Sequence, residues 1–128
     1  AKHPAKIFPV NLKHRTLFGM EVYARIEEIP SPIDLAIIAV PAQYVPAVIA
    51  ECVEAQCKSA IVISAGFRET GTLEGTQLET EVLEAAKKGH IRLLGPNCMG
   101  IMSPHRQFNA SMFSRQAKAG SIAFISQS

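Results

Sequence analysis

Asn97 and Cys98 sit in the stretch of this chain best suited to chemistry, Ile91 to Pro104 (IRLLGPNCMGIMSP), where an apolar strand runs straight into a turn of Gly, Pro, Asn and Cys. The Asn97 amide can both donate and accept, and Cys98 offers a small polarizable side chain. Gly95 and Gly100 allow backbone angles that side chains forbid, and Pro96 stiffens the turn. Such a turn at the carboxyl end of a strand is where open α/β sheets place their ligands. A plain tight turn closed by an Asx hydrogen bond is the competing reading. No histidine or other base stands near Cys98 in sequence, so packing is expected of this thiol and not nucleophilic attack.

A sheet must position that turn, and the rest of the chain supplies one. Asp34 to Val40 (DLAIIAV) and Ser59 to Ser64 (SAIVIS) are unbroken apolar runs of strand length, as in strands buried on both faces of a parallel sheet. Each precedes a helical pattern. Tyr44 to Gln56 places Val45, Val48, Ile49, Cys52 and Val53 on one face, with Pro46 tolerated in the first turn. Thr76 to Lys88 turns Leu78, Val82, Leu83 and Ala86 inward, and Gly89 is expected to be its left-handed terminator. Lys6 to Val10 (KIFPV) and Ser121 to Ser126 (SIAFIS) read as further strands, with a weaker strand and a single helical turn near Val22 to Ile29. The alternation predicts an α/β fold, a Rossmann-like doubly wound parallel sheet lacking its first strand and glycine-rich turn.

The 128 residues, 48% hydrophobic and 19% charged, suffice for one domain with a sizeable core. A net charge of +2, with Lys and Arg scattered, argues against a nucleic-acid surface. No apolar run reaches the roughly 20 residues needed to span a bilayer, and AKHPAK lacks the apolar core of a signal peptide. A cytoplasmic protein with reduced Cys52, Cys57 and Cys98 is expected, and the spacing of His3, His14, His90 and His105 argues against a metal site. The expected division is a partial Rossmann-like domain over 1–120 and, over 121–128, the opening of a following domain, as in a piece of a larger polypeptide or a split subunit.

The successive segments FPVNLKH, IPSPIDLAIIAVPA, CVEAQCKSAIVISAGFRETG, IRLLGPNCMGIMSP and GSIAFISQS carry a family resemblance over nearly the whole chain. In that order and spacing they resemble the CoA-binding region of ADP-forming (NDP-forming) acyl-CoA synthetases. More distantly, they are similar to the succinyl-CoA synthetase alpha subunit. The resemblance implies that a CoA thioester lies across the carboxyl ends of the strands, on four loops. The first is Val10, Asn11 and Lys13, where Asn-Leu-Lys replaces the usual Asn-Pro-Lys and Lys13 would meet a phosphate as a point charge. The second is Ala39, Val40, Pro41 and Ala42, apolar walls suited to an adenine or pantetheine face, although Pro41 could equally serve only to end the strand. The third is Ser64, Ala65, Gly66 and Phe67, a hydroxyl beside a glycine that lets the backbone come close to a ligand without burdening the fold, although Ser64 could instead satisfy the following turn. Asn97 and Cys98 form the fourth.

The resemblance further implies that Ser126, Gln127 and Ser128 open the flavodoxin-like ligase domain, in a turn leading to a helix whose amino terminus holds a phosphohistidine. The catalytic histidine and the site for ATP or ADP with Mg would then lie in the remaining ligase and ATP-grasp domains or in a second subunit, and this chain alone would be silent. The implied parent is an oligomeric ligase interconverting acyl-CoA, ADP and phosphate with acid, CoA and ATP through acyl phosphate and phosphohistidine. Two other functions fit the same module. One is the synthetase-like acyl-CoA-binding half of a GNAT-type protein lysine acetyltransferase, and the other a non-catalytic CoA-binding regulatory module. A nicotinamide dehydrogenase ranks last, since the glycine fingerprint and its ribose-binding acid are missing.

Overall fold

Alternation of short apolar runs with amphipathic stretches produces the expected parallel sheet in the computed structural model, which describes residues 5–122. Two-residue strands β1 (Thr16–Leu17) and β2 (Met20–Glu21) form an antiparallel hairpin, followed by a 3-10 turn at Ile26–Glu28. The central unit is β3 (Leu35–Ile38), α1 (Val45–Glu54), β4 (Ser59–Val62), α2 (Leu73–Lys88) and β5 (Arg92–Leu94). Strands β6 (Gly100–Ser103) and β7 (Phe108–Ser111) close the order as a second antiparallel hairpin.

Within the central unit, β4 pairs in parallel with β3 on one side and β5 on the other, in the register Ile38 opposite Val62 and Ile61 opposite Leu94. Helices α1 and α2 pack on each other and on one face of the sheet. Ile38, Ala60 and Val62 meet Val45, Ile49, Cys52, Val82 and Ala86 in one core, with Phe67 fully buried among them. Each wholly buried Val, Ile or Phe contributes about 1.5–3 kcal/mol relative to exposure. On the other face of the sheet Ile37 and Leu94 are exposed, so the described residues furnish one of the two helical layers of a doubly wound fold.

Both helices end in the same device. After α1, Gln56 takes φ 54°, Cys57 N–H donates to Cys52 O (2.9 Å) and Gln56 N–H to Val53 O (3.0 Å). After α2, His90 takes φ 56°, Ile91 N–H donates to Ala86 O (2.9 Å) and His90 N–H to Lys87 O (3.2 Å). These are Schellman motifs, which satisfy orphan carbonyls and feed each helix into the following strand. Gly89 is therefore not the left-handed residue, since its φ is −85°. A side chain there would overlap Val53, so the glycine allows α2 to lie close against α1.

Four other expectations change. Lys6 to Val10 is no strand: Val10 makes a single bridge to Tyr23, whose N–H donates to Pro9 O (3.0 Å) and whose carbonyl accepts from Asn11 N–H (2.9 Å). Pro9 has no N–H with which to extend a ladder. Helix α2 begins three residues before the apolar periodicity does, because Thr72 caps it by accepting from Gly75 N–H at 3.0 Å. Leu83 of α2 is exposed, so the inward face consists of Leu78, Val82, Ala85 and Ala86. Ser121 and Ile122 lie outside any strand, and 123–128 fall outside the described residues.

Candidate functional site

Parallel pairing puts the carboxyl ends of β3, β4 and β5 along one edge, and the loops leaving them are laced together. Ile63 N–H, just past β4, donates to Ile38 O at 2.9 Å. The Ser64 hydroxyl donates to Val40 O at 2.5 Å, and Ser64 O accepts from Asn97 N–H at 2.9 Å. The Cys98 thiol donates to Val62 O at 3.3 Å. The second, third and fourth loops expected from the sequence are thus neighbours, tied through Ser64.

These bonds decide which groups remain for a ligand. Ser64 has committed its proton to Val40 and can offer a ligand only oxygen lone pairs. Cys98 is half-buried and faces the backbone of β4, the packing role expected of it. Asn97 is held at φ 52°, a conformation asparagine tolerates, and its exposed side-chain amide has no partner among the described residues. Ala39, Pro41 and Ala65 are exposed, whereas Val40 and Ala42 pack against the core. Gly95, at φ 95°, is required because a side chain would strike the Val62 carbonyl, so Cys98 could not fold back onto β4.

Gly66 is also constrained by the fold itself. Its φ of 113° excludes most side chains, and a Cβ there would stand 2.9 Å from Ala42 Cβ, so the fold requires a glycine here. Its N–H donates to Glu69 Oε1 at 2.6 Å, and Phe67 N–H donates to the same carboxylate at 3.1 and 3.2 Å. The Gly66 N–H, followed by that of Phe67, holds the Glu69 carboxyl below its ordinary value despite some opposing desolvation. Sequence analysis assigned Glu69 no part in the site. The signal available for it was an acid in the first turn of the 3-10 helix Arg68–Thr70, placed to reach back to the N–H of its N-cap, Phe67.

The first loop stands apart. Asn11 Oδ1 accepts from Lys13 N–H at 2.8 Å, an Asx turn that leaves the Lys13 side chain exposed. Val10 lies opposite Tyr23 in a bridge whose hydrogen bonds are made by Pro9 O and Asn11 N–H, and no hydrogen bond among the described residues joins this loop to the other three. Ser126, Gln127 and Ser128 lie outside the described residues.

A parallel sheet with ligand-facing loops fits many chemistries, and comparison with known proteins narrows them. A family model described as a CoA binding domain matches residues 1–104. The chain belongs to that CoA-binding domain family. It is 46% identical over 123 residues to the acetate–CoA ligase [ADP-forming] II subunit alpha of Pyrococcus furiosus, covering 96% of this chain and 26% of that protein. A crystal structure from Pyrococcus horikoshii OT3 superposes with a TM-score of 0.86 at 45% identity, covering 94% of this chain and 27% of the other. A dinucleotide-forming acetyl-coenzyme A synthetase 1 of Ca. Korarchaeum cryptofilum, in complex with phosphate and ADP, gives a TM-score of 0.76 at 35% identity over 85% of this chain and 23% of its own. The chain thus spans about a quarter of the length of these relatives. The four candidate loops, which end at Cys98, lie within the matched span, whereas β7 and the residues after it lie beyond.

Proposed function

We propose that this CoA-binding domain holds the CoA thioester of an ADP-forming acyl-CoA ligase, acetate being the acid suggested by the relatives' names. The observation that carries the reading is the lacing of three loops at the carboxyl edge of the parallel sheet inside the family-matched span. Ala39, Val40 and Pro41 would give the ligand an apolar wall, and Ser64, Ala65 and Gly66 a close backbone approach. The Asn97 amide would add a donor and acceptor, with Cys98 packing behind it. Val10, Asn11 and Lys13 would approach from the side, Lys13 facing a phosphate.

Holding a thioester in one place replaces a chance encounter with phosphate by proximity. The parent reaction would run from acyl-CoA and phosphate to acyl phosphate and CoA, with the phosphoryl group passing through a histidine to ADP. The histidine and the site for ADP or ATP with Mg would reside in other domains or a second subunit. We place residues 1–120 in the CoA-binding unit and assign 121–128, with Ser126, Gln127 and Ser128, to the start of the ligase unit. Three free thiols suit a cytoplasmic protein, and the edges of the three-stranded sheet suit an assembly with further domains. Among the described residues no helix is long and apolar enough to cross a membrane.

Calorimetric titration of CoA into the chain tests the proposal. Saturable binding that is lost on replacing Asn97 by Asp supports it, because the new negative charge faces a polyanion. Absence of any heat with CoA, in a chain shown to be folded by circular dichroism, would overturn it.

A further inference from the structure

Glu69 is an exposed carboxylate that forms no ion pair among the described residues, since the adjacent Arg68 is engaged by Glu79 of α2 at 3.3 Å. Both its oxygens turn inward to the N–H groups of Gly66 and Phe67. The segment between is short and anchored at each end. Ser64 is fixed by its hydroxyl to Val40, and Phe67 is wholly buried, its carbonyl accepting from the Thr70 hydroxyl at 2.8 Å and from Thr70 N–H at 3.0 Å. Among the described residues Ala65 and Gly66 have no hydrogen-bonded anchor besides Glu69, and Gly66 carries a positive φ.

We propose that Glu69 is the positioning residue of this loop: its carboxylate clamps Gly66 and Phe67 so that Ser64 and Ala65 face an uncharged part of the CoA thioester. Hydrogen bonds to an ionised acceptor are the stronger kind, and two of them on neighbouring amides set the peptide plane between Ala65 and Gly66. The same bonds leave those amides unable to hold a phosphate, which the carboxylate would also repel. Other charged groups near the loop are Arg68, tied to Glu79, and Glu74 of α2, which lines the same hollow as Gly66 and Thr72. The inference rests on the CoA reading above and deepens it.

The sign of the effect separates positioning from simple electrostatics. Removing a negative charge beside a polyanionic ligand should by itself raise affinity. If Glu69 positions the loop, Glu69→Ala instead lowers CoA affinity, by roughly tenfold to a hundredfold for charge-assisted bonds. Glu69→Gln, which keeps a carbonyl acceptor for one N–H, should fall between Glu69→Ala and the native chain. The experiment is CoA titration of the native chain and both variants, each with a thermal melt. A graded loss, largest for alanine, in proteins that melt cooperatively supports the proposal. Affinity of Glu69→Gln equal to or above that of the native chain overturns it, and this variant decides even if Glu69→Ala does not fold. Failure of the native chain to bind CoA would instead sink the CoA reading, a separate outcome.

Discussion

The Ser64 hydroxyl donates to the Val40 carbonyl oxygen at 2.5 Å, across the loops that leave β4 and β3. One side chain thereby joins two walls of the candidate site, and through its own carbonyl it also receives Asn97 N–H from the third.

Ser64→Ala should therefore cost both stability and binding. Losing one hydrogen bond to a half-buried carbonyl amounts to about 1 kcal/mol, readable as a lower urea midpoint with an unchanged slope. CoA affinity should fall as well, since the loops after β3 and β4 are no longer held in register. A variant as stable and as tight as the native chain would show that the bond does not define the site.

Lys13 lies on an exposed Asx turn whose hydrogen bonds come from backbone groups and Asn11, so Lys13→Ala should leave stability unchanged. If the ammonium meets the ribose 3′-phosphate, the variant weakens CoA more than dephospho-CoA. Equal losses with the two ligands would remove that contact.

Gly95 and Gly66 should resist even alanine. Each has a positive φ, and a Cβ would strike the Val62 carbonyl in the first case and crowd Ala42 in the second. Gly95→Ala and Gly66→Ala should each lose about 1–3 kcal/mol from strained backbone alone. Thermal melts check this, and a melting temperature within error of native for either would show that its loop shifts freely.

Acid should loosen the third loop before the core. The Glu69 carboxyl is held below its ordinary value of 4.5 by the Gly66 and Phe67 N–H groups, so its contribution is present above pH 4.5 and fades as pH falls through the lower folded-state value. The comparison that isolates Glu69 is with Glu69→Gln, which has no carboxyl to protonate at this position. That variant should lose the part of the acid destabilisation due to Glu69, seen as a shallower fall in melting temperature below pH 4.5. Identical acid limbs would show that the bonds are not formed in solution.

The sheet and both helices could be read from the chain because their signals are local. Asp34 to Val40 and Ser59 to Ser64 are apolar runs of the right length, and Val45, Ile49 and Cys52 recur with helical period. The alternation of these elements predicted a parallel sheet, whose loops leave along one edge, and the family resemblance then named the second, third and fourth of them as ligand loops. Cys98 as a packing residue followed from composition alone, with no base beside it.

Tertiary structure decided whatever depends on two segments meeting. KIFPV has the composition of a strand, but a strand forms only beside a partner, and here Tyr23 offers one bridge while Pro9 lacks a donor. Gly89 looked like a terminator, yet its purpose is the approach of α2 to Val53, which no local pattern encodes. Whether the Ser64 hydroxyl serves a ligand or Val40, and whether Glu69 is solvated or folded back on Gly66, turns on distances between atoms that only the packed chain brings within reach.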